Sequence, residues 1–354
     1  MSQMRSLAWS LALSAVIAAP VSGQADSRTP LDVARVLAAR YPESPSMSYI
    51  PALAWAGTFR LMAFISDPEL LDKPRREMRP FLTGERPPIA EPYALTSLAG
   101  HLAFADAGVL DGNAEAAALA RRAADFILSE HPDTVVRFGR GWTDDMFMAS
   151  ALLSRVAAQS DEERYASAIG RLLTTYAARL QRDDGLFIHA TEGAHAWGRG
   201  NGFAALGLTE ALTYLPASWS ERDAVLASYR RQMNALLPLQ TDDGSWRQVL
   251  DQPTAYQELS VTALMLTAMA RGIRLGWLDR ARFTPVVDRA WRAVLARVGA
   301  DGTVRDVCTS TGAQATLEYY MTRPVVNGAD DRGGGIVLMA ALEMEVLRRE
   351  GPAR

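Results

Sequence analysis

The chain has 354 residues, 49% of them hydrophobic and 22% charged, and carries a formal net charge of −3. That is the balance of an ordinary globular protein with enough apolar material for a large core. The mild acidity argues against a nucleic-acid partner, which would call for a basic stripe.

Taken in order, residues 1–25 read as a secretory signal. Arg5 supplies the positive start, Leu7 to Ala19 the apolar stretch, and small residues at 21–25 a cleavage site. The apolar run is too short to span a bilayer, so the expectation is export to the periplasm or the medium, with no membrane partner. From 26 to 354 one catalytic domain is expected, without a low-complexity linker. Its apolar periodicity predicts helices near 31–41, 48–64, 68–80, 92–107, 114–130, 144–158, 161–181, 198–214, 220–238, 256–274, 281–297 and 333–349.

These helices alternate in character. Those beginning near 48, 92, 144, 198, 256 and 333 are rich in Ala, Gly, Leu and Met, as in YIPALAWAGTFRLMAF. Those between them carry Arg and Glu on one face, as in ERDAVLASYRRQMNAL. A helix apolar around most of its circumference is enclosed, and an amphipathic one lies outside it. Six such hairpins predict an all-α (α/α)6 barrel; an open superhelix of helical repeats is the alternative. Asp184-Gly185, Asp243-Gly244 and Asp301-Gly302 recur after successive outer helices, each followed by a β-prone run (LFIHA, SWRQVL, TVRDV). They predict tight turns and short strands or hairpins on one rim, where the functional site is expected.

Two stretches on that rim could carry chemistry. In GLFIHATEGAHAWGRGNGFA (185–204), Gly198, Gly200 and Gly202 alternate with larger side chains, as if to let the backbone approach a ligand. Trp197 and Phe203 could stack on a sugar ring, and the Arg199 fork suits a carboxylate. The structural alternative is a Gly-rich turn with core aromatics. The second stretch, TrpThrAspAspMetPheMetAla at 142–149, opens the third inner helix. Acidic residues in a first helical turn are commonly there to complement the helix dipole. Adjacent helical positions point about 100° apart, so only one of the two carboxylates can face the barrel axis. Asp144 shares a face with Phe147 and Met148 and is the better axial candidate. His189, within the β-prone run, is either a site residue or a half-buried strand imidazole. The four histidines have no metal-ligand spacing, so neither metal nor cofactor is expected. Cys308 stands alone and cannot form an internal disulfide.

These segments resemble glycoside hydrolase family 105, the unsaturated rhamnogalacturonyl hydrolases and related uronidases. The resemblance rests on the 142–149 motif, HisAla at 189–190, TrpGlyArgGlyAsnGlyPhe at 197–203 and AspGlySerTrpArgGlnValLeuAsp at 243–251. It extends through YQELSVTALMLTAMARGIRLGWL at 256–278 and TSTG…YYMTRPVVNG…GGGIVLMAALEM at 309–344. It implies an (α/α)6 barrel that removes a Δ4,5-unsaturated uronic acid from the non-reducing end of a lyase-generated oligosaccharide. By motif, Asp144 matches the general acid/base, and His189, Trp197, Arg199 and Phe203 match positions lining the sugar site, with Trp142 beside them. Two departures stand out. The acidic residue frequent at the start of the second inner helix is represented only by Glu91, and Phe203 stands where Trp is frequent. The alternatives are an inactive carbohydrate-binding barrel and another (α/α)6 enzyme, a lyase or an endo-hydrolase.

Overall fold

In the computed structural model, residues 27–128 and 136–351 are described. The signal sequence expected at 1–25 and His131 lie outside the described residues. The helices are α1 (Pro30–Arg40), α2 (Tyr49–Leu61), α3 (Asp72–Leu82), α4 (Leu95–Ala99), α5 (Leu102–Leu110), α6 (Ala114–Leu128), α7 (Thr143–Ala157) and α8 (Glu163–Leu180). They continue as α9 (Gly198–Tyr214), α10 (Arg222–Leu236), α11 (Leu259–Arg274), α12 (Arg280–Leu295), α13 (Leu317–Met321) and α14 (Asp331–Glu350).

Helices α2, α5, α7, α9, α11 and α14 form the inner ring, each packed on the next, and α14 packs back on α2. That last contact closes the barrel and excludes the open superhelix. Sequence explains the sorting: α9 is buried from Gly198 to Leu212 and α11 from Leu259 to Ile273, whereas α8 buries one stripe through Tyr165, Ile169, Leu172 and Tyr176. Small residues let the inner helices approach. A Cβ on Gly207 of α9 would lie 2.4 Å from the Met146 carbonyl oxygen of α7.

The helix expected over 92–107 is two helices. At the break, a Cβ on Gly100 would lie 1.8 Å from the Met47 carbonyl oxygen, so only glycine admits the chain that leads into α2. The helix expected at 68–80 begins as a 3-10 turn (Pro68–Leu71), and α13 was not foreseen.

The three Asp-Gly turns share one geometry. Gly185, Gly244 and Gly302 have φ of 93°, 93° and 81°. Each preceding Asp accepts from the backbone N–H two residues on, at 3.0 Å in all three cases. Two of the runs after them form the expected short hairpin strands, and the first does not. LFIHA contributes only an isolated bridge between Gln181 and Phe187. β1 (Trp246–Arg247) pairs antiparallel with β2 (Gln257–Glu258), and β3 (Val304–Cys308) with β4 (Val325–Gly328).

At the barrel end where the inner helices finish, each contributes one charged side chain, alternating in sign around the axis: Arg60 (α2), Asp106 (α5), Arg155 (α7), Glu210 (α9), Arg271 (α11) and Glu343 (α14). Asp106 is 2.8 Å from both Arg60 and Arg155. Arg271 is 2.8 Å from Glu210 and from Glu343. Burial opposes ionisation of Glu210, yet Arg155, Arg271 and Arg60 hold its carboxyl down to about 2.

Candidate active site

The other end of the barrel, where the inner helices begin, gathers the residues singled out in the sequence. Asp144 is the second residue of α7 and is buried. His189 is fully buried, and its Nε2 lies 3.3 Å from Asp144 Oδ2. Neither atom has a well-aligned hydrogen-bond partner among the described residues. Tyr49, the first residue of α2, donates a long hydrogen bond (3.5 Å) to Asp144 Oδ1. Burial, and after it the Asp144 charge, pushes the Tyr49 hydroxyl well up, so it remains a proton donor.

Backbone bonding explains how His189 reaches Asp144. Thr143 N–H donates to the His189 carbonyl oxygen at 2.9 Å, tying the start of α7 to the 187–190 run. Asn201 of α9 acts as a surrogate strand for that run: its Oδ1 accepts from Phe187 N–H (2.8 Å) and its Nδ2 donates to Phe187 O (2.7 Å). On the far side of the ring, Tyr320 Oη lies 2.9 Å from His189 Nδ1 and accepts from Gln314 N–H at 3.2 Å. The tyrosine hydroxyl can in turn donate to Nδ1, the arrangement that puts the ring N–H at Nε2, facing Asp144. The imidazole is walled by Trp197 and Trp142, at ring-centroid distances of 4.5 Å and 5.3 Å.

Asp145 has a different task. Its Oδ2 accepts from the backbone N–H groups of Arg140, Gly141 and Trp142 at 2.7, 2.8 and 3.1 Å, and from Tyr176 Oη at 2.8 Å. Burial pushes this carboxyl up to about 6, the Tyr176 hydroxyl and the backbone donors opposing and the Asp144 charge adding. The two carboxylates thus point apart, one to His189 and Tyr49, the other into the loop before α7.

Arg199 departs from its expected part as a carboxylate anchor. Its guanidinium is buried and donates to the carbonyl oxygens of Cys308 (2.6 Å) and Thr309 (2.7 Å), with Cζ 5.0 Å over the Trp197 ring. It holds the loop after β3 to the start of α9. Phe203 lies one layer below the mouth, stacked on Phe147 at 5.6 Å and edge-on to Tyr49 at 5.5 Å. It supports Tyr49 and is itself fully buried. Glu91 is exposed on the loop before α4 and is not brought to Asp144. At the mouth, α4 instead offers Leu95 and Thr96, which with Phe138, Arg140, Trp142 and Met148 line a cleft of ≈ 40 Å³ beside Asp144. The glycines of 198–202 also serve packing. None has positive φ, and a Cβ on Gly198 or Gly200 would lie 2.6 Å from Arg247 O or 2.7 Å from Thr143 Oγ1.

Tyr49 and Arg140 are residues that the sequence did not single out for the site, and Tyr320 entered only within the YYMTRPVVNG motif. Tyr49 carried a usable signal, a polar-tipped aromatic at the first position of an inner helix, where Asp144 also stands. The pairing of Tyr320 with His189 carried none, because the two are 131 residues apart.

A model of the family described as Glycosyl Hydrolase Family 88 matches residues 25–348. The chain belongs to this family. The resemblance to family 105 read from the motifs holds as well. The chain is similar to Unsaturated rhamnogalacturonyl hydrolase YesR of Bacillus subtilis, 27% identical over 57% of this chain and 62% of that protein. It is also similar to Unsaturated 3S-rhamnoglycuronyl hydrolase of Formosa agariphila, 28% identical over 46% of this chain and 48% of that one. The matched stretches thus span about half to three fifths of these relatives' own length. A family 105 glycoside hydrolase structure from C. acetobutylicum superposes with a TM-score of 0.78 at 21% identity, covering 89% of this chain and 98% of that one. It shares the barrel fold.

Proposed function

We propose that this family member is a hydrolase that removes a Δ4,5-unsaturated uronic acid from the non-reducing end of lyase-generated oligosaccharides. The observation that carries the reading is the pairing of one buried carboxylate, Asp144, with His189 and Tyr49, while Asp145 is taken up by the backbone. Ordinary glycosidases set two carboxyl groups about 5–9 Å apart across the scissile bond. One is enough if the substrate already holds an enol ether. Asp144 gives its proton to C4, which leaves an oxocarbenium ion at C5. Water adds at C5 and returns its proton to Asp144. The hemiketal then opens and releases the aglycone. Tyr49 donates to the Asp144 carboxylate and His189 Nε2 stands 3.3 Å from it as it cycles. The half-buried Trp142 is the aromatic ring left at the mouth for the sugar. Trp197, expected as a stacking platform, is buried between His189 and Arg199. The first 25 residues fit export, which would bring the protein to polysaccharide fragments outside the cytoplasm.

The test is the ultraviolet absorbance of the conjugated double bond on adding lyase-digested pectin, ulvan or glycosaminoglycan. Hydration abolishes that absorbance, so it should fall; an unchanged signal with all three digests counts against the reading. One observation favours a lyase instead, namely the contact between Tyr320 and His189, which places an imidazole beside a tyrosine. A lyase acting on intact chains would raise the same absorbance. Tyr320 is fully buried behind His189 and bonded to Gln314, which leaves it poorly placed to take a proton from a sugar.

A further inference from the structure

A Δ4,5-unsaturated uronide carries its carboxylate on C5, one of the two alkene carbons, and a site for it needs a cation that is not already spoken for. Arg199 is not that cation, because its guanidinium holds the carbonyl oxygens of Cys308 and Thr309. Nor are several other arginines at this end: Arg332 is paired in two places with Asp330, Arg323 donates to Ser310 O, Arg247 donates to Pro253 O, and Arg137 lies over the Phe126 and Phe138 rings. Arg140 differs from all of these. It is exposed, lines the cleft beside Asp144, and is the one cation among the described residues of that lining. Its Cζ lies 5.1 Å over the Trp142 ring, and no carboxylate among the described residues lies within ion-pair distance of it.

The loop that presents Arg140 is built rather than slack. Phe138 has φ of 66°, a left-handed conformation that is unfavourable for a bulky residue, and Gly141 has φ of 79°. Such strain persists where surrounding contacts impose it, and it concentrates at ligand clamps. Here the contacts are visible. Asp145 Oδ2 takes the N–H groups of residues 140–142, and the Phe138 ring stacks on Phe126 at 5.7 Å and packs against Tyr93 at 5.9 Å. The chain around Arg140 is therefore fixed at both ends, while its side chain rests on an indole face with no ion-pair partner among the described residues.

We infer that Arg140 is the specificity-determining residue that receives the substrate's uronate carboxylate, with Asp145 as the positioning residue that holds it there. The inference rests on the unsaturated-uronide reading above and names the group that recognises its acid. It also resolves a conflict within that chemistry. A cation buried against the ring would oppose the positive charge forming at C5. One on the exposed rim, over Trp142, meets the outer edge of the carboxylate and is screened from the reacting carbon.

The experiment compares an unsaturated uronyl disaccharide as the free acid and as its methyl ester, with wild-type protein, Arg140→Met and Arg140→Lys. Methionine keeps an unbranched cover on Trp142 and removes the charge. With Arg140→Met, KM for the acid should rise about tenfold or more, the lower range for a lost charge-assisted pair, with a smaller change in kcat. KM for the ester should stay within about threefold of wild type, so that the preference for the acid collapses. Arg140→Lys should fall between the two, keeping the charge and losing the fork. The assignment is overturned alone if wild type turns over the acid and Arg140→Met leaves its KM unchanged. It is likewise overturned if acid and ester suffer equally, which would mark a merely structural role. If wild type turns over neither compound, the hydrolase reading falls first and takes this assignment with it.

Discussion

At the scale of single residues, Asp144 and Arg199 separate cleanly. Asp144 is buried at the mouth with one oxygen lacking a well-aligned partner. Asp144→Asn should lower kcat about 10²–10⁴-fold, the usual worth of general acid/base catalysis, with little change in KM, as steady-state kinetics on unsaturated uronides would check. Arg199 is tied to two backbone carbonyls more than a hundred residues away, so its first contribution is to stability. Arg199→Ala should destabilise by about 2–4 kcal/mol, two charge-assisted bonds and a stacked guanidinium lost from a buried place. Denaturant unfolding tests this; an Arg199→Ala protein with wild-type stability and a raised KM would restore the guanidinium to the substrate. The difference between the two residues shows what the sequence could carry. Which face Asp144 occupies follows from helix periodicity inside one motif. What Arg199 bonds depends on where the loop after β3 returns, and no local pattern encodes that.

At the scale of elements, the inner and outer helices were legible because burial leaves a compositional trace. A helix enclosed on all sides has no polar face to display, and α9 and α11 have none at their middles. The break between α4 and α5 was not legible, since Gly100 reads as an ordinary small residue in an apolar helix until the Met47 carbonyl is seen against it. After the first Asp-Gly turn the expected strand is missing for a related reason. The Asn201 side chain of α9, bonded to both the N–H and the carbonyl of Phe187, takes the place of a second strand. The alternating ring of charges is the element-scale counterpart at the closed end. The folded Glu210 carboxyl stays ionised to about 2, against an ordinary value of 4.5, so its stabilisation is fully present above pH 4.5. It is lost as pH falls through about 2. Glu210→Gln leaves Arg155 and Arg271 facing each other without their shared partner. It should cost about 3–5 kcal/mol near neutrality, and that deficit should shrink on acidification below pH 4.5, as unfolding measured at several pH values would detect.

At the scale of the whole molecule, the barrel has a polarity. Five of the inner helices begin at the mouth with Asp144, α4 takes that place ahead of α5, and all six run toward the charge ring, so the proposed site lies at one end and the strongest polar cross-links at the other. Proteins commonly give up stability where they hold groups ready for chemistry. The mouth fits that pattern: Asp144 Oδ2, His189 Nε2 and Asp145 Oδ1 are all buried without a well-aligned partner. The ring does not, because each of its carboxylates meets two arginines, Glu343 meeting Arg271 and, one turn further along α11, Arg274. Asp144→Asn removes a poorly satisfied charge and loses a favourable helix-dipole term of about 0.3–1 kcal/mol. Its stability should therefore stay within about 1 kcal/mol of wild type or rise, while its activity collapses. Glu210→Gln should do the reverse, keeping kcat within about twofold wherever the protein is folded. The two positions are separated by about 18 Å along the barrel axis, the rise from the start of α9 to Glu210. At that distance, with no shared partner, their effects on unfolding free energy should add within about 0.5 kcal/mol in the double variant. Unfolding curves of the two single variants and the double would measure this. A coupling well beyond that margin would mean that the inner helices transmit strain from the ring to the mouth, and that the two ends are not independent.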